Sequence, residues 1–508
     1  MGFFCVRTVL HLGVIVRWTR LGFFFFTFND KIYGVAYKYC NSEFNIDMSS
    51  KFKLSFKKIG IEEAITPLDG RNRNKIEVLA KYFSEEALNR KRILIEVEYL
   101  IKLSEIGIIR KLKNSEVKIL RELSENFSSE DYKKIREIEA QTNHDVKAVE
   151  LFLQSKLPKT CHDIFPMVHF GLTSEDINNL SYAMLLQECL KEVIIPDLEK
   201  ILKMLKQEVI KSASLPMLGH THGQAAAPTT LGKEYLLYKT RVETELATLK
   251  SLKLRGKLMG NTGNLNVHKA LFPKINWLKF SSDFVKSLKL EPDLIATQIL
   301  PYDSLIKVFQ SLIRLNNIFL GFCVDFWIYA SMGYLKQKVL IKEVGSSALP
   351  HKVNPIYLEG GEGGFGIANA LLGFYVNKLA STRMQRDLSD NTVRRSSGIA
   401  IAYCLLSYQS ILESLDRLEP NEGVIKADLF RHYEVLSEAI QNFLRIKGYD
   451  DAYEKTKQFF RGKILTREGV EEFIVSLGLD EKDKQLLLGI SLESYTGYAE
   501  ILAKKFNN

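Results

Sequence analysis

SLIKVFQSLIRLNNIFLGFCVDFWIYA, residues 304–330, is apolar on nearly every face at helical spacing. A helix with no polar side to give to water belongs inside a bundle. Lys307, Arg314 and Asp325 within it argue against a membrane span, so no membrane partner is expected. The same three-and-four spacing recurs in VLAKYFSEEALNRKRILIEVEYLIKL (78–103), VIIPDLEKILKMLKQEVI (193–210), GIANALLGFYVNKLAS (366–381) and GIAIAYCLLSYQSILESL (398–415). Beyond residue 56 there is no convincing strand alternation and no short-period repeat. The reading is an all-α protein built around a bundle of long helices.

The size and composition bound what such a bundle does. At 508 residues the chain is too long for one simple core and should form about two to four domains or lobes. Its 46% apolar and 26% charged residues are those of an ordinary globular protein. The net charge of +10 is modest over this length, and lysines alternate with glutamates, as in KIEVLAKYFSEEAL (75–88). No zinc-finger spacing or RNA-recognition motif occurs, so no nucleic-acid partner is expected. Cys5, Cys40, Cys161, Cys189, Cys323 and Cys404 lie far apart and form no C-x-x-C, which predicts reduced structural thiols.

Residues 1–47 differ from the rest: they carry arginines and many aromatics, with no acid before Asp30. Their apolar runs are shorter than the roughly 20 residues a bilayer needs, and Val6 breaks the myristoylation pattern that Gly2 suggests. Two readings stand: an organellar presequence, or an upstream extension with Met48 as the true start.

Polar punctuation falls at TPLDGRN (66–72), TNHD (142–145), GLTSEDINN (171–179), GHTHGQAAAPTT (219–230), GNTGNLNVH (260–268), GSSALPHKVNP (345–355) and RDLSDNTVRR (386–395). Helix bundles make sites at such junctions. His220 and His222 form an H-x-H pair, but zinc needs three or four ligands and no nearby Cys or acid completes a set, so no metal is expected. Between Gly219 and Gly223 a histidine is placed to donate a proton. His144 is placed to do likewise, or merely to start a helix. In GSSALPHKVNP, a serine becomes a base only where Lys352, backbone N–H groups or a helix N-terminus stabilise its negative charge. Local chemistry allows Ser346 as base or as helix cap equally. Arg386, Arg394 and Arg395, with Ser389, Asn391 and Thr392, offer donors to phosphate or carboxylate, or pair with Asp387 and Asp390.

Together these segments resemble the fumarase/aspartase superfamily of lyases, whose signature loop reads GSSxxPxKxNP. The finer resemblance is to bacterial-type adenylosuccinate lyases, through TNHDVKAVE (142–150), TSEDINN (173–179), THGQ (221–224), ATQI (296–299) and QRDLSDNTV (385–393). It extends in order from about residue 56 to about residue 504. The resemblance implies a three-domain fold, with an N-terminal helical domain over 56–173, a central bundle over 174–415 and a C-terminal helical domain over 416–508; residues 1–55 are read as an extension preceding it. It further implies a homotetramer with sites shared between subunits and no metal or organic cofactor. The implied activity is elimination of fumarate from adenylosuccinate, and from succinylaminoimidazole carboxamide ribotide (SAICAR), in the cytoplasm or, with a genuine presequence, an organelle.

Carried over residue by residue, the resemblance makes Ser346 the base and His222 the acid. Substrate binding falls to Arg71, Asn72, Asn143, His144, Asp145, Thr173, Ser174, Gln298, Ser347, Lys352, Val353, Asn354, Arg386, Asn391, Thr392 and Arg395. Four positions depart from the pattern. Asn72 stands where tyrosine is usual, Gly360 where asparagine often binds substrate, His220 for arginine and Leu349 for methionine. A sister lyase acting on argininosuccinate, fumarate or aspartate, or an inactive structural relative, would share the signature loop.

Overall fold

The computed structural model describes residues 61–340 and 342–507, together with three strands nearer the N-terminus. The chain divides into two units, Met1–Lys57 and Lys58–Asn508. In the first, β1 (Ile15–Trp18), β2 (Phe23–Phe28) and β3 (Lys31–Ala36) form an antiparallel sheet in the order β1-β2-β3. The rest of that unit, including Met48, Cys5 and Cys40, lies outside the described residues.

The second unit is helical, as expected. Its first long helix, α1 (Glu85–Glu105), is capped by Ser84, whose side chain accepts the Ala87 N–H. α2 (Asp145–Lys156) follows, then α3 (Ser174–Cys189), which passes through a π turn at Leu190–Ile194 into α4 (Ile195–Lys211). Pro196 has no N–H to complete the ladder there, and the π turn sits immediately before it. Strands β4 (Pro216–Thr221) and β5 (Gln224–Thr230) make a hairpin, which leads into α5 (Leu231–Ser251). After α6 (Trp277–Ser287) come α7 (Asp303–Ser331), α8 (Ile356–Leu379), α9 (Ser389–Arg395) and α10 (Ser397–Arg417).

The α3–α4 run with α5, α7, α8 and α10 forms an up-and-down bundle, and its ends can be read from cross-links. At one pole Arg394 pairs with Glu175 at 2.7 Å, the Arg255 N–H donates to Ser304 Oγ at 3.2 Å, and Tyr375 donates to the Ser396 carbonyl at 3.0 Å. At the other pole the Gly232 N–H donates to the Ser212 carbonyl at 2.9 Å and the Lys338 N–H to the Arg417 carbonyl at 2.8 Å. The 29-residue α7 spans about 43 Å between poles at 1.5 Å per residue. It meets the length and apolarity test for a membrane helix, yet half of that window is buried inside the protein. Its Phe309, Phe319, Phe322 and Phe326 are buried, and rings from α5, α8 and α10 pack on them: Tyr235, Phe365 and Tyr408.

A smaller core lies toward the C-terminus, where Leu436, Ile440, Leu444, Phe473 and Leu487 pack with Leu218 of β4. The hairpin is thereby seated against the C-terminal helices. That hairpin departs from the expectation of no strands, and the reason is local. Ala225–Ala227 and Pro228 break helical spacing, while Gly219 leaves room for the Ala227 carbonyl, 2.4 Å from where a Cβ would sit. The four described cysteines, Cys161, Cys189, Cys323 and Cys404, are buried and unpaired.

Candidate active site

The candidate residues fall into two groups, one at each pole. At the pole carrying α9 and the starts of α3, α7 and α10, charged side chains are tied into a network. Asp145 accepts from Arg92 at 2.7 Å and from Arg395 at 2.5 Å, and Arg395 also faces Glu85 at 3.4 Å. Burial alone raises the Asp145 pKa, but Arg92 and Arg395 outweigh it and hold the carboxyl below its usual range. Arg386 donates to Gln298 Oε1 at 3.2 Å, and Gln298 in turn donates to Asn261 Oδ1 at 2.6 Å. Arg386 Nε and Asn391 Oδ1 are buried without a partner, open positions for a polar ligand.

Helix starts build the rest of this group. Asn143 ends the helix Ser129–Thr142 in a left-handed conformation, φ 51°, and the His144 side chain caps α2 by accepting the Lys147 N–H at 3.1 Å. The capping role of His144 is therefore real, and Nε2 takes no partner among the described residues. Thr173 caps α3, with Asp176 accepting its N–H at 2.9 Å, and Ser174 opens the helix at the positive end of its dipole. Thr392 is exposed on α9.

Arg394 does not join the candidate set. It is 3% exposed, pairs with Glu175 at 2.7 Å and Asp390 at 2.8 Å, and lies over the Tyr182 and Tyr302 rings. One residue along a helix is a turn of about 100°, which sends Arg394 inward and Arg395 outward.

At the opposite pole, His222 and Gly223 form a two-residue hairpin turn with φ 53° and 74°. Positive φ at both positions is the type I′ pattern that matches strand twist. His220, His222 and Gln224 are all exposed. The signature loop shares this pole, between the strand Leu335–Gln337 and the start of α8. Ser346 Oγ accepts from the Leu349 N–H at 3.1 Å and the Ala348 N–H at 3.3 Å. Those two donors would stabilise a negative oxygen, although the geometry is also that of a serine turn.

The loop is pinched at its base. Asn354 donates its amide to the Gly345 carbonyl at 3.0 Å, and a Cβ on Gly345 would stand 2.0 Å from the Lys352 carbonyl. Arg417 holds both flanks, pairing with Glu343 at 2.6 Å and lying 4.6 Å over the Tyr357 ring. Beyond that pinch, Ser347, Leu349, Lys352 and Val353 are exposed. Asn354, expected to face substrate, spends one amide hydrogen on closing the loop.

Some candidates meet neither group. Exposed Arg71 and half-buried Asn72 precede the helix Arg73–Ile76, which Gln409 ties to α10 through the Lys75 carbonyl at 3.2 Å. No hydrogen bond links His222 to Ser346 among the described residues. Sequence reading missed Arg92, Glu175 and Asn261. Arg92 gave no local signal and Glu175 stood unassigned within TSEDINN, whereas the paired glycines of GNTGN marked a close approach: a Cβ on Gly263 would stand 2.0 Å from the Ala296 carbonyl.

Residues 70–367 match the family model described as Lyase, and residues 382–496 match the one described as Adenylosuccinate lyase C-terminal. Adenylosuccinate lyase of Legionella pneumophila (strain Philadelphia 1) is 41% identical over 452 residues, covering 87% of this chain and 98% of that protein. The chain belongs to the adenylosuccinate lyase family. The Escherichia coli (strain K12) member is 39% identical over 441 residues, covering 86% of this chain and 97% of its own.

The fold agrees with more distant relatives. A fumarate lyase from Mesorhizobium sp. BNC1 superposes with a TM-score of 0.69 at 17% identity, covering 85% of this chain and 97% of its own. A 3-carboxy-cis,cis-muconate lactonizing enzyme from Pseudomonas putida gives 0.69 at 19%, covering 86% and 98%. The all-α expectation and the superfamily resemblance both hold.

Proposed function

We propose that the protein eliminates fumarate from adenylosuccinate to give AMP, and from SAICAR to give the corresponding carboxamide ribotide, in cytoplasmic purine nucleotide biosynthesis. The observation that carries this reading is the match to 98% of the length of an adenylosuccinate lyase, signature loop included. In the proposed reaction Ser346, as alkoxide, takes the proton from the succinyl carbon beside a carboxylate. The electron pair moves into that carboxylate as a dianion, which Ser347, Lys352 and Asn354 stabilise in this reading. The carbon–nitrogen bond then breaks as His222 protonates the departing amino nitrogen. Asn143, His144, Thr173, Ser174, Gln298, Arg386, Asn391, Thr392 and Arg395 hold the phosphate and carboxylates, with Asp145 orienting Arg395. Arg71 and Asn72 add to them from another face.

We infer a shared site as well, a reading that the separation of the two poles supports. The acid and base lie one bundle length, about 40 Å, from the anion-binding pole of their own chain. Antiparallel packing of bundles from several copies brings opposite poles together. Apolar side chains exposed on α7 and α8, among them Trp327, Ile328, Ile367 and Phe374, support such packing. We therefore read the enzyme as a homotetramer.

The test is release of fumarate and AMP from adenylosuccinate by the purified full chain, unaffected by a chelator. Folded, tetrameric protein that releases no fumarate would sink the reading. Mixing inactive His222→Ala and Arg395→Ala chains should restore activity through sites built from intact halves. No recovery after subunit exchange would refute the shared site.

A further inference from the structure

A cavity of about 540 Å³ opens beside the π turn, far in sequence from every candidate catalytic residue. Its volume lies within the range of small-molecule sites. Five lysines line it: Lys191 from the π turn, Lys250 and Lys253 from the end of α5 and just beyond, and Lys286 and Lys289 from the end of α6 and just beyond. Glu291 is the sole carboxylate in the lining. Lys250 pairs outward with Glu199 at 2.5 Å, and Lys253 reaches Glu291 at 3.7 Å. Lys191, Lys286 and Lys289 make no close ion pair among the described residues, and although Asp283 feels the charge of Lys286, five lysines against one lining carboxylate leave the concavity net positive.

Beneath this rim the floor is aliphatic, with buried Leu190, Leu249, Leu254, Leu290 and Val308. No aromatic ring is present to stack a base, and Gln187 is the lone side-chain amide. Two backbone features build the wall. The π turn carries Leu190 and Lys191, and π turns recur at functional sites. Lys289 holds φ 61° just past α6, a left-handed position that ordinarily favours glycine or asparagine. There the Lys289 carbonyl accepts from the Gln187 amide at 3.3 Å, which fixes the turn beside the cavity.

We propose that this cavity binds an amphiphile with a phosphate-bearing anionic head and an aliphatic tail, the head held by Lys191, Lys286 and Lys289 and the tail laid on the leucine floor. The site is separate from the proposed lyase chemistry and stands or falls independently of it. Dodecyl phosphate below its micelle concentration is the probe, titrated into the full-length protein by calorimetry at low salt. Inorganic tripolyphosphate and dodecanol serve as charge-only and tail-only controls. The expected result is saturable binding of dodecyl phosphate, weakened at least about tenfold by Lys286→Glu combined with Lys289→Glu, with fumarate release unchanged. Separately, Leu290→Ala, which removes floor area without adding charge, should weaken the amphiphile while leaving tripolyphosphate as it was. Four outcomes would overturn the proposal: no binding, equal binding of tripolyphosphate, equal binding of dodecanol, or indifference to the double substitution. Co-sedimentation with phosphatidylglycerol vesicles without binding of the monomeric probe would also overturn it, since the ligand would then be a bilayer surface.

Discussion

The two poles of the bundle handle charge in opposite ways. Around α9, charged side chains are locked to one another: Asp145 between two arginines, Arg386 against Gln298, Arg394 sealed against Glu175. Around the hairpin and the signature loop, His222 and Lys352 are exposed, and among the described residues Ser346 is held by its own loop's backbone. A locked pole presents fixed dipoles to an anion without reorganising. An open pole is one where local motion is inexpensive, as chemistry by a closing loop requires. The proposed binding and reactive groups are thus kept apart in one chain.

The sharpest way to break that contrast is to disable each pole in turn. Ser346→Ala and His222→Ala should each lower kcat by about 10²–10⁴-fold, with thermal unfolding unchanged because both residues are peripheral. Near-normal turnover would strip the residue of its role. At the locked pole the damage should be to stability. Asp176 and Lys257 are both fully buried, 3.0 Å apart, and Asp176 also accepts the Met259 N–H at 2.8 Å. Lys257→Met leaves a buried carboxylate without its cation and should cost about 3–5 kcal/mol, read as a lower urea midpoint. An unchanged midpoint would contradict the assigned pairing.

Gly345→Ala tests the pinch. Its Cβ would collide with the Lys352 carbonyl, so the loop must reopen. A displacement on the ångström scale near reacting groups costs about 10²-fold in rate, with little change in melting temperature. Equal loss of activity and stability would mean that the loop is a structural strut.

Acid and alkali should act on different groups. Burial alone raises the pKa of Glu175, yet Arg394 and Arg386 hold it below the usual range, as Arg92 and Arg395 hold Asp145. Carboxylates of this kind contribute stability that is intact above about pH 4 and is lost as pH falls through their lowered folded values. His169 is the reverse case. Burial alone lowers its pKa, but Glu96, 2.5 Å away, outweighs burial and raises it. Its contribution is full below about pH 6.5 and disappears as pH rises through the folded value. Urea midpoints of Glu175→Gln should therefore converge on the parent in acid, and those of His169→Phe in alkali.

The smallest expected effect lies at Asn261. It fixes Gln298 by accepting its amide hydrogen, so Asn261→Ala should raise KM by about fivefold, near the worth of one hydrogen bond, and leave kcat unchanged. A fall in kcat instead would place Asn261 in the chemical step.

Much of this protein was legible along the chain. Helical periodicity marked the long helices because each buries a face, and α7 betrayed its central place by lacking a polar one. Glycines, prolines and amides marked the junctions, since those residues permit turns and caps, and the signature loop carried the family resemblance. Partnerships were not legible. Nothing near Arg394 distinguishes it from Arg395, yet one is buried in the core and the other faces outward, because the turn of α9 sets their directions. Arg92, from mid-helix in α1, reaches Asp145 and Asn178 across three elements. The sequence alone determined which residues have the chemistry and where the chain bends. Tertiary structure alone decided that His222 and Ser346, the proposed acid and base, sit a bundle length from the proposed anion binders, because helix length and up-and-down order set distances that local sequence does not encode.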